Sequence, residues 1–317
     1  MKKRIVILFI CCALILSLGL AGCGSSGGPG TEGPAQAAEP EAQQTAEAEA
    51  AAKAEEEAAA KAAEEAQFAL EEGLGYWFGT GENGFDKEQA RAAIQKAADL
   101  GNADGWYWLG VLRQHDVEAD RWQQVIEYYQ KAADNGCARG LCGLGRLYES
   151  GYGFEVDITK ATALYQQAID AGELYGSVCL GFLYEKGKGV DVSGVKAAEL
   201  YEKAAASEDF ATRNTARVTL GSLYNRGTED LESSPEKARE YYQLAADENY
   251  YAGWHGLGNL YAGSETIHDQ GVGFEPDPAK KFEYDSREAA LGTVYALAQC
   301  YRDATGCEAD FAKAIEL

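Results

Sequence analysis

Positive charge is scarce in this 317-residue chain: 28 lysines and arginines face 51 aspartates and glutamates, for a net charge of −23. So acidic a surface repels phosphate backbones and anionic headgroups, which argues against nucleic acid as a partner. Histidine is scarcer. His115, His255 and His268 fall far apart, with no serine, cysteine or aspartate constellation around them, so each is expected to be a solvated or packed ring rather than a catalytic base. No cysteine pair has CxxC spacing or a nearby histidine, which argues against a zinc site. No strand pattern precedes the recurring G-x-G glycines, and a dinucleotide or phosphate loop needs a buried strand running into its glycine turn. The many Asp and Glu pairs are what exposed helix faces carry, and they give no support to a glycosidase. No metal or cofactor is expected.

Only one long apolar run is present, Ile5 to Leu20, preceded by Lys2, Lys3 and Arg4 and followed by small residues. This is the plan of a secretory signal. Its ending, "LAGC" (Leu20 to Cys23), resembles a bacterial lipoprotein signal. The resemblance implies cleavage before Cys23, acylation of Cys23, and a lipid-anchored chain on the extracytoplasmic side of a bacterial membrane. More than one acyl chain is needed, because each buried CH₂ contributes only about 0.8 kcal/mol. An uncleaved transmembrane helix is the alternative, and a run this short hardly spans a bilayer. Loss of residues 1–22 removes three positive charges and takes the net charge from −23 to −26. Cys11 and Cys12 leave with the signal, so Cys137, Cys142, Cys179, Cys300 and Cys307 remain. That odd, sparse set is not a disulfide scaffold; Cys300 and Cys307 are the one pair to consider, and small buried thiols the favoured reading.

Residues 23–45 read as a flexible, lipid-anchored linker, beginning with a Gly/Ser/Pro-rich tether. Residues 46–66 are nearly all Ala, Glu and Lys, strong helix formers with glutamates three or four residues from Lys53 and Lys61. They lack the leucine stripe of a coiled coil, and a solvated helical stalk is predicted.

Residues 67–317 are periodic. "LGRLYESGYGFEVDITKA" at 144–161 returns as "LGFLYEKGKGVDVSGVKA", and Leu74, Leu109, Leu144, Leu180, Leu220, Leu257 and Leu297 are spaced by 35, 35, 36, 40, 37 and 40 residues. Such periods indicate a solenoid of about seven helical hairpins, an all-α fold. The first half of each unit reads as a short amphipathic helix A; in the third, Leu144, Leu147 and Tyr148 form one stripe that starts at the repeat leucine. The glycine after it (Gly110, Gly145, Gly181, Gly221, Gly258) is costly in a helix, and close approach of the paired helix is the predicted reason. Gly151 and Gly187 are predicted to end helix A in a left-handed conformation. Asp86, Asp157, Ser193, Ser234, Asp277 and Asp310 are predicted N-caps of helix B, with Pro235 and Pro278 at the first helical position. Ala132, Ala168 and Ala204 leave room for a neighbouring helix. In the "GWYWLG" cluster, Trp106 or Trp108 is predicted to fill the interhelical seam, and a stacking platform for sugar is the alternative use of the same residues.

The combination L-G-x-L-Y-x-x-G-x-G, then a capping residue, K-A and a tyrosine before paired alanines, resembles the Sel-one-like repeats, relatives of the tetratricopeptide repeat. The loops "GYGFEVD" and "GKGVDVS" separate the family from plain tetratricopeptides. The pattern is weaker in the second unit, where "RQHDVEADRW" replaces the glycine loop, and the sixth carries extra loop residues "SETIHDQ". The resemblance implies a scaffold for protein–protein interaction, with helix A on the concave side. The residue two after each leucine then faces a partner: Tyr76, Val111, Arg146, Phe182, Ser222, Asn259 and Gln299. Those five or six after it add Gln114, Glu149, Glu185, Lys186, Asn225, Arg226 and Arg302. Grouped arginines there suit partner carboxylates, with Phe182 as an apolar anchor. A binding protein for cell-wall glycan or peptide is the alternative. An enzyme akin to cysteine-rich β-lactam-binding relatives is a further one, although their paired cysteines are missing.

Overall fold

The computed structural model describes residues 39–80, 84–118, 120–262 and 274–292, with residues 301, 307 and 313; statements of structure below refer to these. They form helices α1 (Glu39–Phe78), α2 (Lys87–Asp99), α3 (Ala103–Gln114), α4 (Arg121–Asp134), α5 (Ala138–Ser150), α6 (Ile158–Asp170), α7 (Tyr175–Lys186), α8 (Gly194–Ala205), α9 (Phe210–Arg226), α10 (Pro235–Asp247), α11 (Tyr251–Leu260) and α12 (Pro278–Ala289). No strand occurs among the described residues, and no helix there is long and apolar enough to cross a membrane. The chain divides into two compact units, Met1–Ala58 and Ala59–Leu317.

In the first unit the described residues are all helical, part of α1, which begins at Glu39, inside the stretch read as linker. Pro40 is no obstacle, because the first turn lacks an intrahelical acceptor for its missing N–H. From residue 47 up to the unit boundary every residue is exposed.

The second unit is a stack of helical hairpins. The first residue of α1 to be buried is Ala66, where the helix meets α2; Leu70, Ile94, Leu109 and Leu112 belong to the same core. From α2 onward each helix packs against the one that follows it. The first helices of successive hairpins (α3, α5, α7, α9, α11) also touch one another in turn, whereas the second helices have no comparable contact. One face of the stack is therefore built from first helices alone. Of the seventh unit only residues 301, 307 and 313 are described, and Asp310 lies outside them.

The caps are where the sequence places them. Asp86, Asp157, Ser193, Ser234 and Asp277 each accept a backbone N–H from the first turn of the helix that follows. The second hairpin lacks this device: Asp120 precedes α4 without a side-chain cap bond. Gly151 and Gly187 end α5 and α7 at φ 75° and 64°. The second glycine of each G-x-G, Gly153 or Gly189, also has positive φ and presses against α4 or α6, so the motif is a helix stop packed on its neighbour.

The glycine beside each leucine is the expected close approach of the paired helix, and the group that fills the space is a tyrosine ring. A Cβ on Gly110, Gly145, Gly181 or Gly221 would lie 2.5–2.7 Å from the ring of Tyr129, Tyr165, Tyr201 or Tyr242 on the paired helix. These four rings are at most 5% exposed. Backbone-to-backbone approach occurs five residues earlier, where Gly140 and Gly176 meet the main chain of α4 and α6. Ala132, Ala168 and Ala204 are fully buried at the same seams.

Candidate protein-binding groove

The face formed by the first helices carries the predicted binding positions, and the structure divides them into groups. The buried tyrosines reach through to the C-terminal end of each first helix. Gln114 Nε2 donates to the Tyr129 hydroxyl, Tyr165 donates to Glu149 Oε2 at 2.8 Å, and Tyr201 donates to Glu185 Oε2 at 2.9 Å. The other carboxylate oxygens are also taken. Lys188 lies 2.9 Å from Glu149 Oε1, while Glu185 Oε1 receives both Lys186 and Arg226, the latter from α9. Glu149 and Glu185 side chains are only 13% and 7% exposed, so these charges tie repeat to repeat instead of facing a partner. Arg226 is spent in the same way.

Asn225 is buried, and Ser222 hydrogen-bonds Tyr242. Val111 and Tyr76 are half-buried at the edges of their hydrophobic clusters, and Asn259 is half-buried on α11. Phe182 stays exposed, with the Lys188 ammonium 5.0 Å from its ring centre. Arg146 is exposed and makes no ion pair or hydrogen bond among the described residues. Gln299, Arg302 and the anchor residue Cys23 lie outside them.

The concavity on this face lies farther toward the helix N-termini than the sequence suggested. A hollow of about 230 Å³ opens across α3, α5, α7 and α9, lined by Tyr107, Trp108, Arg139, Cys142, Tyr175 and Thr215. A smaller one of about 60 Å³ adjoins it at Arg146, and the two share Tyr107, Cys142 and Tyr175. Several lining residues stand two or five positions before the repeat leucine, on the same helical stripe as the predicted set, one to two turns earlier. That extension of the stripe was the available signal. Trp106 does fill a seam, stacked on Tyr128 at 6.0 Å, whereas Trp108 contributes to the hollow.

Burial sets the electrostatics. It pushes the Tyr107 and Tyr175 hydroxyls up to about 12, so both are neutral donors at any ordinary pH. Arg139 neutralises the acidic rim, 3.4 Å from Glu173 Oε2 and 3.6 Å from Asp209 Oδ1. The thiols of Cys137 and Cys179 are raised to about 12 by burial, and that of Cys142 is raised too, so none is a thiolate nucleophile. All three are buried and without a disulfide.

One polar cluster was missed. In α12, Asp285 stands where the first repeat buries Ile94 and the next four bury tyrosine, and Glu288 where they bury alanine; they are 1% and 2% exposed. His255 Nδ1 lies 3.1 Å from Glu288 Oε2, so this histidine has carboxylate neighbours that sequence distance concealed. His115 packs against Trp77 at 5.4 Å between ring centres, and His268 lies outside the described residues.

The Sel1 repeat profile matches residues 71–102, 126–137, 138–173, 180–209, 217–250 and 294–317, more than half of the chain. The unmatched stretches include the second unit's missing glycine loop and the sixth unit's long one. Among solved structures, a Sel1 repeat protein from Oxalobacter formigenes is similar at 25% identity and TM-score 0.53, covering 71% of this chain and 87% of that one. A protective antigen of uropathogenic Escherichia coli displaying an SLR fold is similar at 24% identity and TM-score 0.51 over 78% of this chain, which spans about half (51%) of that protein. At this identity the second likeness concerns the fold alone. No curated protein sequence matches.

Proposed function

The chain belongs to the Sel1 repeat family, and we propose that it is a membrane-anchored, extracytoplasmic scaffold that binds another protein through the face of its first helices. The family's general use as protein-interaction modules supports the class of function. The observation that carries the reading is the aromatic hollow across α3, α5, α7 and α9, which opens on the side of the stack where successive first helices meet. A surface assembled from several repeats suits extended recognition more than turnover. The reading is of a binding protein, not an enzyme: the buried thiols are held protonated, and Arg139, Glu173 and Asp209 compensate one another.

The anchor rests on the "LAGC" sequence at Leu20–Cys23. Labelled palmitate is expected to enter the protein in cells, and Cys23→Ala to abolish labelling and release the chain or leave its precursor uncleaved; labelling that survives the substitution would remove the anchor. Tyr107, Trp108 and Tyr175 also have the makings of a stacking surface for a sugar ring, which keeps a wall-glycan reading as the second one. Sedimentation with purified wall material separates the two: a protein-binding scaffold stays in the supernatant.

A further inference from the structure

The first helices α3 to α11 carry seven basic side chains. Six of them, Arg113, Arg139, Lys186, Arg213, Arg217 and Arg226, sit on carboxylates of this chain. The seventh, Arg146, has none among the described residues, in a protein whose net charge is −23. It opens into the smaller hollow, beside Tyr107, Tyr129 and Tyr175, and the aromatic hollow begins on the other side of Tyr107 and Tyr175.

Resting on the protein-binding reading above, we infer that this groove holds an internal, extended segment of the partner that places an Asp or Glu carboxylate on Arg146 and a neighbouring bulky apolar side chain against Tyr107, Trp108 and Tyr175. Charge complementarity selects the carboxylate: on a face where every other described cation is compensated from within, a guanidinium fork left open fits an anion supplied from outside. The hollow selects the apolar neighbour, because its aromatic walls form the kind of pocket that interface anchors fill. The segment is internal to the partner's chain. Two of the helix starts that open on the hollow, those of α7 and α9, are already capped, by Glu173 on the Tyr175 N–H at 3.0 Å and by Asp209 on the Thr212 N–H at 2.8 Å, while α5 starts after Cys137 without a side-chain cap bond. At α7 and α9 a terminal carboxylate finds no nest of free N–H donors.

The test is a display library of randomised seven-residue segments, with carrier protein on both sides, panned on the full chain and on Arg146→Ala and Tyr175→Ala variants whose helical content matches the parent. Segments recovered on the parent are expected to fix an Asp or Glu at a constant spacing from an aromatic or large aliphatic residue. A resynthesised segment is expected to bind Arg146→Ala about 10- to 100-fold more weakly. Changing its acid to the amide should weaken binding to the parent similarly, with little further loss on Arg146→Ala. Segments that bind parent and Arg146→Ala equally would overturn the carboxylate assignment while leaving protein binding by this face intact. So would segments that bind only when they end in a free carboxylate. Segments displaced by wall glycan, whose own binding needs Trp108 but not Arg146, would give the hollow to sugar. Recovery of no segment that depends on Tyr175 would overturn the protein-binding reading itself.

Discussion

Replacing Gly181 with alanine sets two effects of opposite sign against each other. As a helix-interior residue, alanine gains about 0.8–1.0 kcal/mol over glycine. Against this, the new Cβ would stand 2.6 Å from Tyr201 Cε1 and 2.9 Å from Cδ1, inside any allowed contact. The ring has nowhere easy to go, since Tyr201 is fully buried and its hydroxyl is bonded to Glu185, which in turn holds Arg226 of the next repeat. Overpacking of this kind costs about 1–3 kcal/mol, and displacing the hydroxyl forfeits a charge-assisted bond of about 1.5–3 kcal/mol. The ring shift need only weaken that bond for the clash to win, and Gly181→Ala is expected to destabilise by roughly 1–3 kcal/mol. Gly75 is the control: it lies in α1, and a Cβ added there would meet nothing within 4 Å. Gly75→Ala should therefore be neutral or stabilising by up to about 1 kcal/mol. Thermal melts followed by circular dichroism, at about 2–4 °C per kcal/mol for a unit this size, read the difference directly. If Gly181→Ala melts as high as Gly75→Ala, the tyrosine–glycine seam is not what fixes the hairpins.

Three further outcomes are expected. Arg226→Ala should cost about 1–3 kcal/mol, because it removes an inter-repeat partner from the nearly buried Glu185; an unchanged denaturant midpoint would show that the pair is idle. Ser234→Ala should cost about 1 kcal/mol through the lost cap on α10, whereas Asp120→Ala, which removes no cap bond, should cost little; equal costs would contradict the cap assignments. The hydrogen bond to Glu288 raises the pKa of His255 in the folded state against the effect of burial. That stabilisation is complete below the ordinary histidine value of about 6.5 and fades as pH rises through the raised folded value. Melting should therefore drop across that interval in the parent and drop less in His255→Gln, and identical pH slopes would refute the pairing.

The period, the caps and the helix stops were legible because each is a local device: one side chain answering the free N–H groups of its own helix, or one glycine taking a left-handed turn. Asp157, Ser193 and Gly187 carry that information without help from distant residues. The face of the first helices was legible too, since a 3.6-residue stripe fixes direction. What the stripe does not fix is which of its members meet a neighbour in the next repeat. Glu185 and Arg226 both point to the expected face, yet they pair with each other across 41 residues, and the sequence offers no mark that distinguishes them from Arg146, which has no such partner among the described residues. The position of the hollow was missed for a related reason. α9 is longer than its counterparts, and its first two turns, with Thr212 and Thr215, extend the wall past the repeat unit. Asp285 and Glu288 were hidden because they occupy positions where the earlier repeats bury an apolar or aromatic residue and an alanine, and a pattern of repeats directs attention away from its exceptions.

Photocrosslinking in intact cells locates the proposed partner protein on, or away from, the first-helix face. A photoreactive benzoylphenylalanine is placed at Trp108 or Tyr175 in the groove, and at Gln130 or Gln166 on the exposed sides of α4 and α6. Light should shift the groove-labelled chains to the mass of a complex with a second protein, and Arg146→Glu should diminish that band while the second-helix positions give none. Adducts from Gln130 or Gln166, with none from the groove, would place the partner on the opposite face and contradict the account.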